Sequence, residues 1–498
     1  MSNIPEFKKV YATNNITLVS KNKVECKLPI LEEDAQNILK INLSTSLNTI
    51  ECLDKEIKYS GRGLFTVLYK SENTIKNCEV GVEYSFKFPS ENAVEGNNVL
   101  GKINVNKCSV STLNGIVIAT ATIEFLGEMY KNVEIETFDS NENLLVKNKE
   151  IDYIKDVCKF QKEHKLEDEF DLPILIGNVL SHEESVVISE VQCGIGGVIL
   201  DGEVEVNGIV MPLSGEVVPT TFCKKIPFRI ECECEEAIPN FKAIANACVK
   251  NANLKVYVDE NKNKSAVSLE VNLIINGILF EELKLNLLVD VYSLQNKLKV
   301  NKEDKKICNL LNFKCLEFNQ NEKLNVKLQE NARLNTVLSA KIEEKDISFV
   351  NGNIIVSGTI SACVFEGGED FLATDVLIPF SVESSINASE VVLKDVLLVS
   401  CSQVVKDDEL FLNYTLKVMF VEIHNDCFNT IKSIDVLEEM FKNDSAISVY
   451  IPSCGDTLWD ICKALCLPEN AILEMNKDLE FPLNGDERIV VYREINSK

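Results

Sequence analysis

The chain is 498 residues long, 45% hydrophobic and 26% charged, a balance that excludes wholesale disorder and leaves room for three or four domains, each with its own core. Its 77 acidic residues against 51 basic ones leave a net charge of −26. That excludes nucleic-acid backbone and anionic membrane surface as general partners, since no basic excess is available to displace counterions.

Met1 to Val10 lacks a basic region followed by an apolar one, so no signal peptide is expected, and no apolar run approaches the length that spans a bilayer. Eighteen cysteines are scattered along the chain, which reads as reduced, mostly buried thiols in a cytosolic protein rather than a disulfide framework. In chain order, residues 1–23 are polar and form a lead-in or one added strand. From Val24 a repeat begins: Leu28-Pro29-Ile30-Leu31 returns as Leu172-Pro173-Ile174-Leu175, with Leu324 to Leu328 as a degraded third copy. Ile57-Lys58-Tyr59-Ser60-Gly61, Val198-Ile199-Leu200-Asp201-Gly202 and Ile354-Ile355-Val356-Ser357-Gly358 match in pattern. Each is followed by an aromatic marker, Tyr84-Ser85-Phe86, Ile226-Pro227-Phe228 or Ile378-Pro379-Phe380, at Gly-to-Phe gaps of 25, 26 and 22 residues.

Alternating apolar runs, Gly115 to Phe125, Ser265 to Ile275 and Glu409 to Phe420, complete each copy with the period of strands. The expected fold class is therefore mainly β: three tandem β-sandwich-like domains at 24–150, 168–298 and 320–440, followed by a small βααβ unit at 447–495. Between copies, Lys147 to Glu169 carries Ile151, Ile154 and Val157 at helical spacing and predicts a helix-containing linker; Asn296 to Lys306 is polar and basic, and Val436 to Lys442 reads as a short helix.

In the last fifty residues a short β segment, Val449 to Ile451, leads into Gly455-Asp456-Thr457-Leu458-Trp459. Leu458, Ile461, Cys462 and Leu465 make one apolar helical face over Thr457 to Cys466. Pro468-Glu469 starts a second helix that carries Ala471, Ile472 and Met475 inward and stops near Asn476. Beyond Phe481-Pro482 and the turn Asn484-Gly485, Arg488 to Tyr492 closes the unit as a strand. A unit this small holds no deep pocket and is expected to bind along a surface groove.

These residues resemble a LysM domain: Cys454, Gly455, Asp456, Thr457, Leu458, Trp459, Ile461 and Asn476 fall on its opening motif and on the Asn that ends its second helix. Cys454 stands where a Pro is usual, and Pro482-Leu483-Asn484-Gly485 replaces the usual Pro-Gly-Gln. The resemblance implies a ligand groove formed by Gly455, Asp456, Thr457, Leu458, Met475, Asn476, Asp478 and Phe481, for an N-acetylglucosamine polymer such as peptidoglycan or chitin, or for a protein. The repeats are similar to SPOCS domains of spore-forming bacteria, in which a Gly, alternating apolar residues and an Ile-Pro-Phe run recur; the first copy lacks the Pro. The combination resembles spore-coat morphogenetic proteins of the SipL type. That resemblance implies a mother-cell cytosolic scaffold at the forespore surface, docking the coat-basement ATPase (stage IV sporulation protein A) through its LysM domain. The alternative is a peptidoglycan-binding protein of the wall or spore cortex.

No catalytic constellation emerges. A phosphate loop needs Gly-x4-Gly-Lys-Ser/Thr, and the cluster Gly194, Gly196, Gly197 precedes a strand instead. The three histidines, His164, His182 and His424, are too remote in sequence to build a zinc-protease site locally. Cys454, Cys462 and Cys466 are close enough in sequence to meet a metal, and Cys232 and Cys234 alternate like strand residues, but core packing is the simpler reading of both. No catalytic residue, metal or cofactor is therefore expected. Trp459, the one Trp, suits stacking on a sugar or a partner and equally suits partial core. Residues 448–495 hold nine acids and four bases, which suits a basic protein patch more than a neutral sugar.

Overall fold

The computed structural model describes residues 8–71, 74–137, 144–213, 219–259, 264–324, 334–367, 372–406, 409–439 and 447–492. Strands dominate them, in one topology that occurs three times. The first unit comprises β1 (Lys8–Lys27), β2 (Ile38–Leu53), β3 (Glu56–Ser71), β4 (Thr74–Pro89), β5 (Asn98–Leu113) and β6 (Ile116–Thr137). The second comprises β7 (Leu144–Leu172), β8 (Ile176–Cys193), β9 (Gly197–Pro212), β10 (Thr220–Glu233), β11 (Lys242–Asp259) and β12 (Lys264–Ser293). The third comprises β13 (Asn296–Lys323), β14 (Leu334–Val350), β15 (Asn353–Gly367), β16 (Leu372–Ser385), β17 (Glu390–Lys406) and β18 (Glu409–Glu439). In each unit the second to fourth strands form an antiparallel meander, and the sixth pairs with both the fifth and the first. The two sheets of the first unit share one core around Tyr59, Phe65, Ile123 and Phe125.

The recurrent glycine has a packing cause. Gly61, Gly202 and Gly358 are each the sixth residue of β3, β9 and β15. A Cβ there would lie 2.2 Å from the Ser46 carbonyl oxygen, 2.2 Å from that of Val187 and 2.1 Å from that of Glu344, under the rings of Tyr84, Phe228 and Phe380 respectively. Those rings belong to the residues paired opposite each glycine. In the first unit the aromatic counterpart of Phe228 is thus Tyr84, two residues before the expected Phe86; a two-residue offset leaves both on one face of a strand, so alternation alone does not separate them.

Three expected connectors are strands. Lys147 to Glu169 lies within β7, paired along β12. Ile151 and Ile154, three apart, sit on opposite faces of that strand: Ile151 packs with Ala12 and Phe428, Ile154 with Tyr130 and Phe280. A strand covered on both faces imitates helical spacing. Asn296 to Lys306 opens β13, and Val436 pairs with Leu298 at the end of β18 instead of starting a helix; residues 440–442 lie outside the described residues, as do 1–7 of the lead-in and 325–328 of the third Leu-Pro-like copy. Lys8 to Lys23 belong to β1 and pair with β6.

The three units close around a common axis. Leu100, Ile244 and Val392, the third residues of β5, β11 and β17, meet in one buried cluster. Leu68, Ile209 and Phe365, the thirteenth residues of β3, β9 and β15, meet in another. Polar contacts tie neighbours between these layers: Lys40 to Glu183 at 2.6 Å, Lys102 to Asp395 at 2.5 Å, Lys394 to Glu128 at 2.6 Å, and the Ser400 N–H to Glu205 at 2.8 Å. A cavity of about 600 Å³ lies at this junction, lined by Lys102, Asn104, Ser185 and Asp395 among others.

Candidate functional site

The C-terminal unit runs β19 (Ile447–Tyr450), α1 (Leu458–Leu465), α2 (Glu469–Met475) and β20 (Ile489–Tyr492), the expected order of elements, with β19 and β20 antiparallel. Thr457 caps α1: its hydroxyl accepts the Asp460 N–H at 3.4 Å, and the Asp460 carboxylate accepts the Thr457 N–H at 2.9 Å, a reciprocal arrangement that satisfies the orphan amides of the first turn. Gly455 has φ of +92°, a left-handed conformation that a side chain would strain. Cys466 ends α1 in the left-handed region, its N–H reaching the Cys462 carbonyl.

Two loops are stitched together. The Gly455 N–H donates to the Leu483 carbonyl at 2.7 Å, and the Leu483 N–H to the Asp456 carbonyl at 2.9 Å. The Asp456 carboxylate accepts the Ser453 N–H at 2.7 Å, while that of Glu487 accepts the N–H groups of Asn484 and Gly485. Gly455 and Asp456 therefore sit beside Phe481 to Leu483. Asn476 is a clamp: its amide donates to the carbonyls of Ile472 and Val490 and accepts the Val490 N–H at 2.8 Å, fixing the end of α2 to β20. The Met475 sulphur meets the Tyr492 N–H at 3.2 Å. Leu458 and Phe481 pack half-buried on the unit's core, and Asp478 is exposed. Of the expected groove residues, Gly455, Asp456, Thr457, Leu458, Met475, Asn476 and Phe481 thus bear local structure, and Asp478 is the exposed side chain without such a role.

Of its two expected roles, Trp459 takes the packing one. It turns away from this furrow onto the second β unit: its ring meets Tyr292 edge-on at 4.9 Å, and its indole N–H donates to Asp290 at 2.8 Å. Lys463, one turn further along α1, binds the same carboxylate at 2.7 Å, and the Tyr292 hydroxyl donates to the Leu467 carbonyl at 2.9 Å. Burial works to raise the Asp290 carboxyl, but Lys463 and Trp459 outweigh it and hold it below its ordinary value. Tyr292 and Leu145 pack in one cluster with Ile461, Cys462 and Ile472. Sequence reasoning missed Asp290, Tyr292 and Lys463, because partners about 170 residues apart leave no trace in local periodicity.

Among the described residues the other side is open: Ile447 (60% exposed), Val449 (57%), Ile451 (63%) and Tyr492 (55%) leave an apolar face uncovered; along β19 Ile447 and Val449 alternate with Tyr450, which packs inward. Cys462 is fully buried, and burial pushes its thiol up to about 11, whereas Cys454 is exposed. Among the described residues, the one grouping of three ligand-type side chains lies elsewhere, at Cys158, Cys234 and Glu236. No described helix is long and apolar enough to cross a membrane. The fold and furrow define a β-rich chain of repeated six-stranded units carrying a small βααβ module. No protein-family model, curated protein or solved structure matches the chain.

Proposed function

We propose that this protein is a non-enzymatic scaffold of spore-coat assembly, in which three sandwich-like SPOCS-type domains carry a LysM-type module that docks a protein partner, the coat-basement ATPase, at the forespore surface in the mother-cell cytoplasm. The observation that carries the reading is the apolar face of β19 and β20, uncovered among the described residues, on a module that also exposes the Asp478 carboxylate. Apolar area on an acidic module suits a protein surface with a basic rim. A glycan reading asks for an aromatic ring free to stack on sugar; Trp459 is engaged with Tyr292, and the exposed Tyr492 is the ring that such a reading would use. Tandem β units then raise the effective concentration of weak contacts in a layer.

The test uses Val449→Glu, Ile451→Glu and Asp478→Arg in the full chain, positions whose side chains are exposed and bear no local structure. Capture of the purified ATPase is expected to fall about tenfold or more, the effect of losing roughly 1.4 kcal/mol of interface, with circular dichroism unchanged. Capture that survives all three variants sinks the reading. Retention on purified peptidoglycan with no capture of the ATPase favours the glycan reading instead.

A further inference from the structure

The second β unit holds a cluster that the docking reading does not use. Cys158 sits on β7 next to a bulge at Val157, where the register against β12 shifts between Leu279 and Phe280. Cys234 and Glu236 lie in the turn that follows β10. The two sulphurs are 3.0 Å apart, and the Glu236 carboxylate is 3.8 Å from the Cys234 sulphur. All three donor atoms fall within 4.8 Å of one another, with Glu236 at the exposed rim and Cys234 buried.

We propose that Cys158, Cys234 and Glu236 bind a thiophilic divalent cation of the zinc class, tying the sheet of β7 to the connection between β10 and β11. Tetrahedral zinc with Zn–S near 2.3 Å and Zn–O near 2.1 Å sets two sulphurs about 3.8 Å apart and a sulphur and an oxygen about 3.6 Å apart. The carboxylate is already near that separation, and the sulphurs need to part by less than about 1 Å. Two thiolates and a carboxylate offset a divalent charge, and the exposed carboxylate marks the entry path. A disulfide would use the two sulphurs and leave the carboxylate with no role.

The other units provide an internal comparison. In the second unit the turn is held by the Ala237 N–H to the Cys234 carbonyl, the Gly196 N–H to the Ala237 carbonyl and the Cys234 N–H to the Gly196 carbonyl. The first unit makes the same three bonds among Ala93, Ser90 and Lys55. There Ser90 and Asn92 stand where the second unit has Cys234 and Glu236. Ile16, paired two residues beyond Gly127, stands where Cys158 pairs two beyond Gly277. The turn thus forms without any ligand in the first copy, and the second copy fills it with metal-binding side chains.

The test is a cobalt(II) titration of the full reduced chain. The expected result is one tightly bound equivalent with a thiolate-to-cobalt absorption band, lost in Cys158→Ser/Cys234→Ser and kept in Cys427→Ser, whose thiol is exposed and remote. Zinc is expected to raise the wild-type melting midpoint by about 3 °C or more and to leave that of the double variant unmoved. Should the double variant fail to fold, Glu236→Gln at the exposed rim is expected to weaken cobalt binding by about tenfold. The proposal is overturned by a chain that binds no cobalt at these residues, or by one that loses two hydrogens to a Cys158–Cys234 disulfide in air and takes up no metal when reduced.

Discussion

At the scale of single residues, Asp290 decides how the C-terminal unit sits. Its carboxylate takes both the Trp459 indole N–H and the Lys463 ammonium, so Asp290→Ala leaves two donors of α1 without their acceptor. Release of the unit is expected to become easier by about 2 kcal/mol. Because Trp459 is the only Trp, the change reads out directly as a red shift of its emission and greater quenching by acrylamide. Acid should reproduce it. The folded carboxyl lies below its ordinary value, so its contribution is complete above about pH 4, the unfolded value, and is lost as pH falls through the lower folded value. A pH titration of the emission maximum in wild type and Asp290→Asn checks this, the variant being expected to lack that acid step.

At the scale of elements, the glycine in β9 and the cap of α1 are the sensitive points. Gly202→Ala places a Cβ against the Val187 carbonyl oxygen and 2.5 Å from the Phe228 ring, in sheet that has no slack. A loss of about 3 kcal/mol is expected in chemical denaturation. Thr457→Ala removes the hydroxyl that caps α1 and is expected to cost about 1 kcal/mol, largely restored by Thr457→Ser. The Gly-then-aromatic spacing and α1 itself, from Leu458, Ile461, Cys462 and Leu465, were legible in the chain as local signals, whereas the Thr457 cap shows only in the structure. Lys147 to Glu169 was not legible, because Ile151 and Ile154 are buried by different neighbours on the two faces of β7, and a count of apolar spacing cannot distinguish that from one face of a helix.

Across the whole molecule, charge is buried where the units meet. Asp395 is shared by Lys102 and by Lys345 at 2.9 Å. Burial pushes Lys102 down to about 7, and the two ammonium groups outweigh burial to hold Asp395 down to about 2. One carboxylate for two lysines leaves Lys102 the surplus member. Lys102→Met is therefore expected to leave the melting midpoint unchanged or raised, while Asp395→Asn, which strands both lysines, is expected to destabilise by about 3 kcal/mol or more. Thermal unfolding of the two variants side by side checks the sign. Glu183, which lines the neighbouring cavity, pairs with Lys40 of the first unit.

Read alone, the chain determined what depends on neighbours within a strand or a turn: period-two alternation, a thrice-repeated glycine followed by an aromatic marker, and a strand, two helices and a strand at the C-terminal end. Such patterns are written locally because pleat and helix geometry are local. Only the tertiary structure decided that Leu100, Ile244 and Val392 converge on one axis, that Trp459 faces Tyr292 and leaves the furrow, and that Cys158 meets Cys234. Each of these joins residues 76 or more positions apart, where burial and register, not spacing along the chain, select the partner.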